Sequence, residues 1–407
     1  MDNILSQIAA MKSGKELIAE MTVLPEYDES IRSQPPTVRL VSLSDIYNIY
    51  IPSSMSIEIY SKLYLALLRS LQKKIGINAQ IQRNENHKRI CRRESNSILG
   101  GSDSFTITGC SGIGKSTAIN HAIDLIAEKG IIENAHTKII PCLIVQTPHD
   151  CSAKGLLLEI LRKVDTFLNS DYYTKALRNR STADILIGYV SQISLNHIGL
   201  LIVDEIQNVV GNRNGKSLVA VLTQLINSSG ISICMVGTPE CTVFFEQAQH
   251  LARRSLGLYY SAVEYDQFFY DFCNTIFQYQ YTKHKTEISD SLVRWLYDHS
   301  GGIISTVISL THDAQEIAIL NGIERLNSDT LNEAYKKRLT MLHAFITPEN
   351  TPTSTVRKKK PKEHLYPVET DTSAKESIFD IVASAKEKKI NLISALQEKI
   401  TIEEIKI

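Results

Sequence analysis

The middle of the chain alternates short runs of consecutive apolar residues with longer segments whose apolar residues recur every three or four positions. Four such runs occupy residues 105–108, 139–145, 200–203 and 231–236. Continuous apolar runs are typical of strands buried on both faces, and helical connections between them favour parallel pairing. The pattern therefore predicts an α/β fold in which a parallel sheet is sandwiched by helices. A long, largely helical insertion at 150–196 separates the second run from the third.

Helical periodicity dominates on either side of this region. Apolar residues recur at spacings of three and four in 57–75, and again in 288–297, 303–320 and 331–345. Prolines interrupt the first 54 residues, and residues 350–362 are rich in Thr, Pro and Lys, a composition typical of linkers. Five segments are therefore predicted: an extended, partner-binding arm at 1–54, a helical basic segment at 55–96, the α/β domain at 97–267, a small all-helical lid at 268–346, and a linker with an amphipathic tail at 347–407.

Two of these segments allow more than one interpretation. Between positions 69 and 93 the sequence has eight basic residues and a single acidic one, Glu85. They indicate either a solvated helix and loop or a surface that contacts phosphates. The amphipathic tail is predicted either to dock on a partner or to pack on the core of this chain.

The phosphate-binding pattern G-x-x-x-x-G-K-[ST] begins at the end of the first apolar run. A buried strand precedes it and an apolar-periodic helix follows it, which is the structural context that this motif requires. Glycines allow consecutive backbone N–H groups to converge on phosphates, the helix N-terminus adds a positive dipole end, and Lys115 can reach the β and γ phosphates. The predicted nucleotide-binding residues are Gly109, Cys110, Ser111, Gly112, Ile113, Gly114, Lys115, Ser116 and Thr117.

The third apolar run ends in two acids, Asp204 and Glu205, as expected for the companion of a phosphate loop. We expect Asp204 to bind nucleotide through Mg²⁺, with Ser116 as the second residue of the metal site. Glu205 is predicted to orient and deprotonate the water that attacks the γ phosphate. An acid at this position favours hydrolysis of the nucleotide over binding alone.

Other candidate catalytic residues lie at neighbouring strand ends and after the fourth strand. Thr238 follows the fourth strand, and we predict that it senses the γ phosphate, although a plain turn explains it nearly as well. Gln146 ends the second strand and is a weaker candidate for holding Glu205. One of the two arginines Arg253 and Arg254 is predicted to enter the nucleotide site of a neighbouring subunit, which requires an oligomer. A cationic pair on the surface is the alternative.

Composition excludes several classes of protein. The chain has 407 residues, is 43% hydrophobic and 22% charged, and carries no formal net charge, so any nucleic-acid binding must come from local patches. Its seven cysteines are scattered and never spaced C-x-x-C. This spacing argues against a disulfide framework or a zinc site and favours a reducing cytoplasm. We find neither a secretory leader nor an apolar run of eighteen residues, so the sequence predicts no contact with a membrane.

Taken together, these motifs resemble TnsC, the AAA+ regulator of cut-and-paste DNA transposons, and the related TniB ATPases. The resemblance covers about residues 104–345 and includes Ser300-Gly301-Gly302-Ile303-Ile304 at the start of the lid. It implies an AAA+ P-loop NTPase that uses ATP and Mg²⁺ and forms homo-oligomeric rings or filaments on double-stranded DNA. It also implies a bacterial cytoplasmic protein, nucleoid-associated on DNA, that links a target selector of the TnsD/TniQ type to the transposase. Hydrolysis of ATP would disassemble the complex.

Duplex binding by such an oligomer requires cations that contact phosphates without reading bases. The candidates are Lys154, Lys175, Arg178 and Arg180, and for each one an ordinary solvated charge is an equally good explanation. The turn at 303–306 lacks the arginine that AAA+ lids commonly direct at the γ phosphate, which predicts loose coupling between the lid and the nucleotide.

Two other functions share the same motifs. A helicase loader or replication initiator would have the same loop, acids, arginine and lid. No helix-turn-helix follows the lid in the sequence, which favours the transposition regulator. An ATP-switched signalling scaffold is the third possibility, and Glu205 argues against it because a scaffold needs no catalytic base.

Overall fold

The computed structural model describes residues 4–91, 93–94, 96, 104–128, 130–133, 137–179, 181–242 and 256–340. All of these lie within one compact unit. The predicted sites at Arg180, Arg253 and Arg254 and the predicted tail at 347–407 lie outside the described residues.

Six strands form one sheet in the described part of the chain. They are β1 (Phe105–Gly109), β2 (Ile132–Glu133), β3 (Lys138–Gln146), β4 (Ile198–Asp204), β5 (Ser232–Gly237) and β6 (Leu256–Tyr260). The order is β2-β3-β4-β5-β1-β6, and every pair except the antiparallel β2–β3 pair is parallel. The four predicted strands are all present. The sequence pattern missed β2, which has only two residues, and β6, whose glycine and tyrosines interrupt the apolar run.

Helices cover both faces of this sheet. Those before and within the α/β region are α1 (Gly14–Met21), α2 (Pro36–Ser42), α3 (Ser54–Ile75), α4 (Ile77–Ile90), α5 (Lys115–Ile126), α6 (Ala153–Leu168), α7 (Tyr172–Arg178), α8 (Ala183–His197) and α9 (Gly215–Ser229). Alternate strand residues point to opposite faces, so Leu201 and Val203 pack with α6, α8 and α9, whereas Leu200 and Ile202 pack with α3 and α5. Burial on both faces explains the continuous apolar runs and confirms the predicted α/β fold.

Cations of the basic segment tie α3 and α4 to α8. Lys74 is buried, and its Nζ donates hydrogen bonds to the carbonyls of Ser194 and Ile198. Burial lowers the pKa of Lys74 to about 7. The Nε of Arg83 donates to Oδ1 of Asn196 at 2.9 Å. Lys74 is therefore not available as a solvated charge or as a contact to external phosphate, whereas Arg83 is half-buried and holds α4 to α8.

The N-terminal segment is folded, which corrects the predicted extended arm at 1–54. Leu17 and Met21 are buried against α3 and α5. The carbonyl of Ala9 accepts a hydrogen bond from the hydroxyl of Tyr64 at 2.9 Å. The prolines start or separate short helices: Pro36 lies in the first turn of α2, where its missing N–H costs nothing.

The lid consists of α10 (Gln267–Ile276), α11 (Asp290–Ser300), α12 (Ile304–Leu320) and α13 (Ser328–Arg338). Its core contains Phe269, Leu296 and Leu310. Leu43 and Ile46 of the N-terminal segment are buried in the same core. The lid is therefore completed by residues from the beginning of the chain.

One buried ion pair joins the N-terminal segment to the lid. Arg39 is 0% exposed, and its two terminal nitrogens bind the two carboxylate oxygens of Glu324, both at 2.7 Å. The same guanidinium donates to the carbonyls of Tyr281 and Gln34, both at 2.9 Å. All of these bonds are lost together if the arginine is removed.

No helix among the described residues has both the length and the apolar character needed to cross a bilayer.

We expect Arg39→Met to lower the free energy of unfolding by about 3 kcal/mol, because it leaves a partly buried carboxylate and two carbonyls without their donor. The hydrogen bonds from Arg39 hold the pKa of Glu324 below its ordinary value. The pair therefore stabilises the fold above that value and ceases to do so as the carboxyl is protonated. Urea denaturation should show the difference from wild type shrinking as the pH falls below about 4.5.

The matched control is Lys285→Met, which breaks the exposed pair of Lys285 with Glu29. An exposed pair is screened by solvent, so we expect no measurable loss of stability. Equal losses for the two variants would show that the Arg39 pair has no special role.

Candidate functional site

The predicted phosphate loop lies between β1 and α5. Gly112 has a φ of 82°, a value that favours glycine, and Gly114 is the residue before the first turn of α5. The Nζ of Lys115 donates to the carbonyls of Gly109 at 2.7 Å and Cys110 at 2.8 Å, which holds the ammonium inside the loop. Burial lowers the pKa of Lys115, while Asp204 and Glu205 oppose that shift. The ammonium group of Lys115 is thus held at the loop, where the sequence predicts it.

Asp204 connects this loop to the ends of two strands. Its Oδ2 accepts a hydrogen bond from the hydroxyl of Ser116 at 3.3 Å, and its Oδ1 accepts one from the N–H of Glu205 at 2.8 Å. Its carbonyl accepts the N–H of Thr147 at 2.9 Å. The two predicted metal-binding residues, Ser116 and Asp204, are therefore in direct contact.

Glu205 adopts a backbone conformation that is uncommon for residues other than glycine. Its φ is 58° and its ψ is 37°, in the left-handed region, and its side chain is exposed beside the loop. Such a conformation costs roughly 1–3 kcal/mol and is found mostly at functional sites. It turns the chain directly after β4 into a short 3-10 helix, Ile206–Val209.

Sequence reasoning missed the residue that contacts Glu205. The Nε2 of Gln207 donates a hydrogen bond to the Glu205 carboxylate, and the Oε1 of Gln207 accepts the N–H of Thr238 at 3.3 Å. Gln146 is exposed at the end of β3, where it pairs with Asp204 in the sheet. A polar residue two positions after the second acid was the signal that could have identified Gln207.

The first turn of lid helix α12 lies directly against the phosphate loop. The N–H of Ser305 donates to the carbonyl of Gly112 at 3.1 Å, and a Cβ on Gly112 would lie 2.3 Å from the Ser305 hydroxyl oxygen. The contact is made by backbone and a small side chain. The missing lid arginine therefore does not leave the lid apart from the loop.

The predicted DNA-contacting residues are distributed over two helices. Lys154 lies in the first turn of α6 and is exposed. Lys175 forms an exposed ion pair with Asp171 at 2.7 Å, and Arg178 is exposed at the end of α7.

Two further exposed cations lie around the start of α9. The Nδ2 of Asn214 donates to the carbonyl of Asp150 at 2.9 Å, which joins the loop before α6 to the loop before α9. Arg213 lies on this second loop, Lys216 lies in the first turn of α9, and both are exposed. Sequence reasoning missed both because they are far from Lys154 in the chain.

A family model described as the bacterial TniB protein matches residues 101–257. The resemblance found from the motifs is thereby confirmed over that segment. The matched segment contains the phosphate loop, Asp204, Glu205 and Thr238. This match and the observed parallel sheet support the predicted α/β phosphate-loop fold for that segment.

Solved structures with a similar fold include origin-recognition proteins. The Aeropyrum pernix ORC1 protein in complex with DNA is 13% identical, with 64% of this chain and 65% of that chain covered and a TM-score of 0.43. The Aeropyrum pernix ORC2 protein is 16% identical, with coverages of 67% and 70% and a TM-score of 0.41. Drosophila ORC bound to DNA is 11% identical, with coverages of 99% and 86% and a TM-score of 0.38. No curated protein matches the sequence.

We expect Gly112→Ala to weaken ATP binding by about tenfold, since the new Cβ would meet Ser305 and the φ of 82° is strained for alanine. Binding of a fluorescent ATP analogue to the purified variant measures the change. Gly130→Ala is the control, because Gly130 also has a positive φ but no atom within 4 Å of the new Cβ. Equal ATP affinities for the two variants would contradict the role of the lid contact.

Proposed function

We propose that this protein is an ATP-dependent, sequence-nonspecific DNA-binding regulator of DNA transposition. In this proposal it oligomerises on target DNA, links a target selector of the TnsD/TniQ type to the transposase, and is reset by ATP hydrolysis. The observation that carries the proposal is the match of residues 101–257 to the TniB family model. The contacts of Ser116, Asp204 and Glu205 support it, because a nucleotide-driven switch needs both binding and hydrolysis.

The nucleotide site of this proposal is formed by residues 109–117 and by the acids after β4. Ser116 and Asp204 offer oxygen atoms 3.3 Å apart, which fits the preference of Mg²⁺ for hard oxygen ligands. When bound, Mg²⁺ neutralises phosphate charge. Lys115 binds the terminal phosphates, and Glu205 orients the attacking water and accepts its proton.

Oligomerisation follows from the role we give to Arg253 or Arg254. An arginine supplied to a neighbouring subunit's site stabilises the charge that develops during phosphoryl transfer. Each site would then be complete only between two copies of the chain. ATP binding, oligomerisation and hydrolysis would be coupled through that contact.

The duplex-binding surface that we propose is formed by Lys154 together with Arg213 and Lys216. The hydrogen bond from Asn214 to Asp150 joins the loops that lead into α6 and α9, and all three cations are exposed. Cations at the start of two neighbouring helices can contact a phosphate backbone without reading bases. Lys175 would contribute less because it is already paired with Asp171.

The deciding experiment measures binding of a random-sequence duplex across a salt series with a non-hydrolysable ATP analogue, with ADP, and without nucleotide. Electron microscopy of the same samples shows the particles. Tight, salt-sensitive binding only with the analogue, together with rings or filaments, supports the proposal. Failure to bind duplex in any nucleotide state would contradict the proposal and would favour a protein partner, as in the signalling-scaffold alternative.

We expect Glu205→Gln to retain ATP binding while its hydrolysis rate falls by about a hundredfold or more, the usual contribution of a general base. The variant should therefore remain on DNA after ATP is added, which a dissociation assay with competitor duplex measures. Lys115→Ala is the matched comparison and should fail to assemble at all. Dissociation of Glu205→Gln as fast as wild type would contradict the assigned role.

Substituting Lys154, Arg213 and Lys216 by alanine should weaken duplex binding equally for different sequences. The slope of log affinity against log salt should fall by about one for each phosphate contact removed. Lys337→Ala is the control for loss of a surface cation elsewhere, because Lys337 is an exposed lid lysine paired with Glu333. An unchanged slope in the triple variant would show that DNA binds elsewhere.

A further inference from the structure

The side chain of Gln207 lies between the ends of β4 and β5. Its amide nitrogen donates to the carboxylate of Glu205, and its amide oxygen accepts the N–H of Thr238 at 3.3 Å. Both hydrogen bonds belong to one planar group, so neither can change its direction without changing the other. The water-orienting acid and the strand end that lies next to the γ phosphate are thus mechanically connected.

The amide oxygen lies close to the backbone of β5 at Gly237. A Cβ on Gly237 would lie 2.8 Å from the Gln207 amide oxygen and 2.8 Å from the Ile206 side chain. Real side chains do not tolerate such distances, so the approach of Gln207 to β5 depends on glycine at position 237. The amide oxygen thus occupies space that a side chain at position 237 would need.

Two unfavourable features lie at the ends of this connection. The hydroxyl oxygen of Thr238 is buried and has no hydrogen-bond partner among the described residues, which costs roughly 1–3 kcal/mol. Glu205 holds its left-handed backbone conformation. Features of this kind persist where a ligand or a reaction makes use of them.

We propose that Gln207 is a positioning residue that couples Thr238 to Glu205, so that Glu205 is correctly oriented only when Thr238 contacts the γ phosphate. The inference rests on the proposed ATPase function. A phosphate oxygen satisfies the free Thr238 hydroxyl and shifts the end of β5. The Gln207 amide follows through its bond to the Thr238 N–H, and its other end carries the Glu205 carboxylate to the attacking water.

The competing residue is Gln146, which ends the adjacent strand. It is exposed, and its strand partner is Asp204 and not Glu205. Gln207 has hydrogen bonds to both partners that the coupling requires. The geometry therefore favours Gln207.

The test is Gln207→Met, which preserves length and volume but removes both hydrogen-bonding groups. We expect kcat for ATP to fall between about tenfold and a hundredfold, the loss typical of a misplaced catalytic group. ATP affinity and the melting temperature should stay close to wild type, which a purely structural role would not predict. Gln207→Ala serves as the second variant if Gln207→Met does not fold.

A matched control and a double-mutant cycle separate coupling from local damage. Asn208→Ala alters the same turn at an amide that bonds instead to the Thr147 carbonyl, so it should keep kcat within about twofold of wild type. Thr238→Val should lower kcat as Gln207→Met does, and the double variant should be no slower than either single variant. If the two losses in kcat multiply in the double variant, the coupling is overturned. It is also overturned if Thr238→Val is non-additive with Gln146→Ala and additive with Gln207→Met.

The failures of the two proposals are distinguishable. If the wild-type protein hydrolyses ATP and Gln207→Met has the same kcat, only the proposed role of Gln207 is overturned. A parallel fall of kcat in Asn208→Ala and Gln207→Met, with loss of ATP affinity, would assign Gln207 a structural role. Absence of turnover by the wild-type protein would overturn the ATPase function and the coupling together.

Discussion

The contacts of Asp204 hold the candidate site together. Its two carboxylate oxygens bind the hydroxyl of Ser116 and the N–H of Glu205, and its carbonyl binds Thr147. These bonds are possible because β4 lies in the middle of the sheet, where the carboxyl ends of parallel strands meet at one edge. The position of every other acid, amide and loop in the site therefore depends on how β4 is packed.

Much of the α/β domain was predictable because its physical causes are local. A strand buried on both faces needs an apolar run, and a phosphate loop needs glycines and a lysine at fixed spacing. Both signals are present in the sequence around residues 105–117. The acids after β4 were identified in the same way. The short strand β2 and the tyrosine-containing strand β6 were missed because pairing with neighbours decides them more than composition does.

The misjudged parts depend on contacts between residues far apart in the chain. Proline spacing suggested an extended arm at 1–54, yet Leu17 and Leu43 are buried against elements that follow much later. The role of Gln207 depends on its two hydrogen bonds, and the sequence shows neither of them. Local patterns report which face of an element is apolar. They do not report which distant element covers that face.

The partnership of Arg39 with Glu324 has a consequence for the order in which the chain folds. The two residues are 285 positions apart, so this contact closes one of the longest loops in the molecule. Contacts of such separation form late, because the chain entropy of the loop must be lost first. During synthesis Leu43 and Ile46 leave the ribosome long before the lid helices exist, so they lack their packing partners for most of translation. The lid core is therefore completed only after most of the chain has been made.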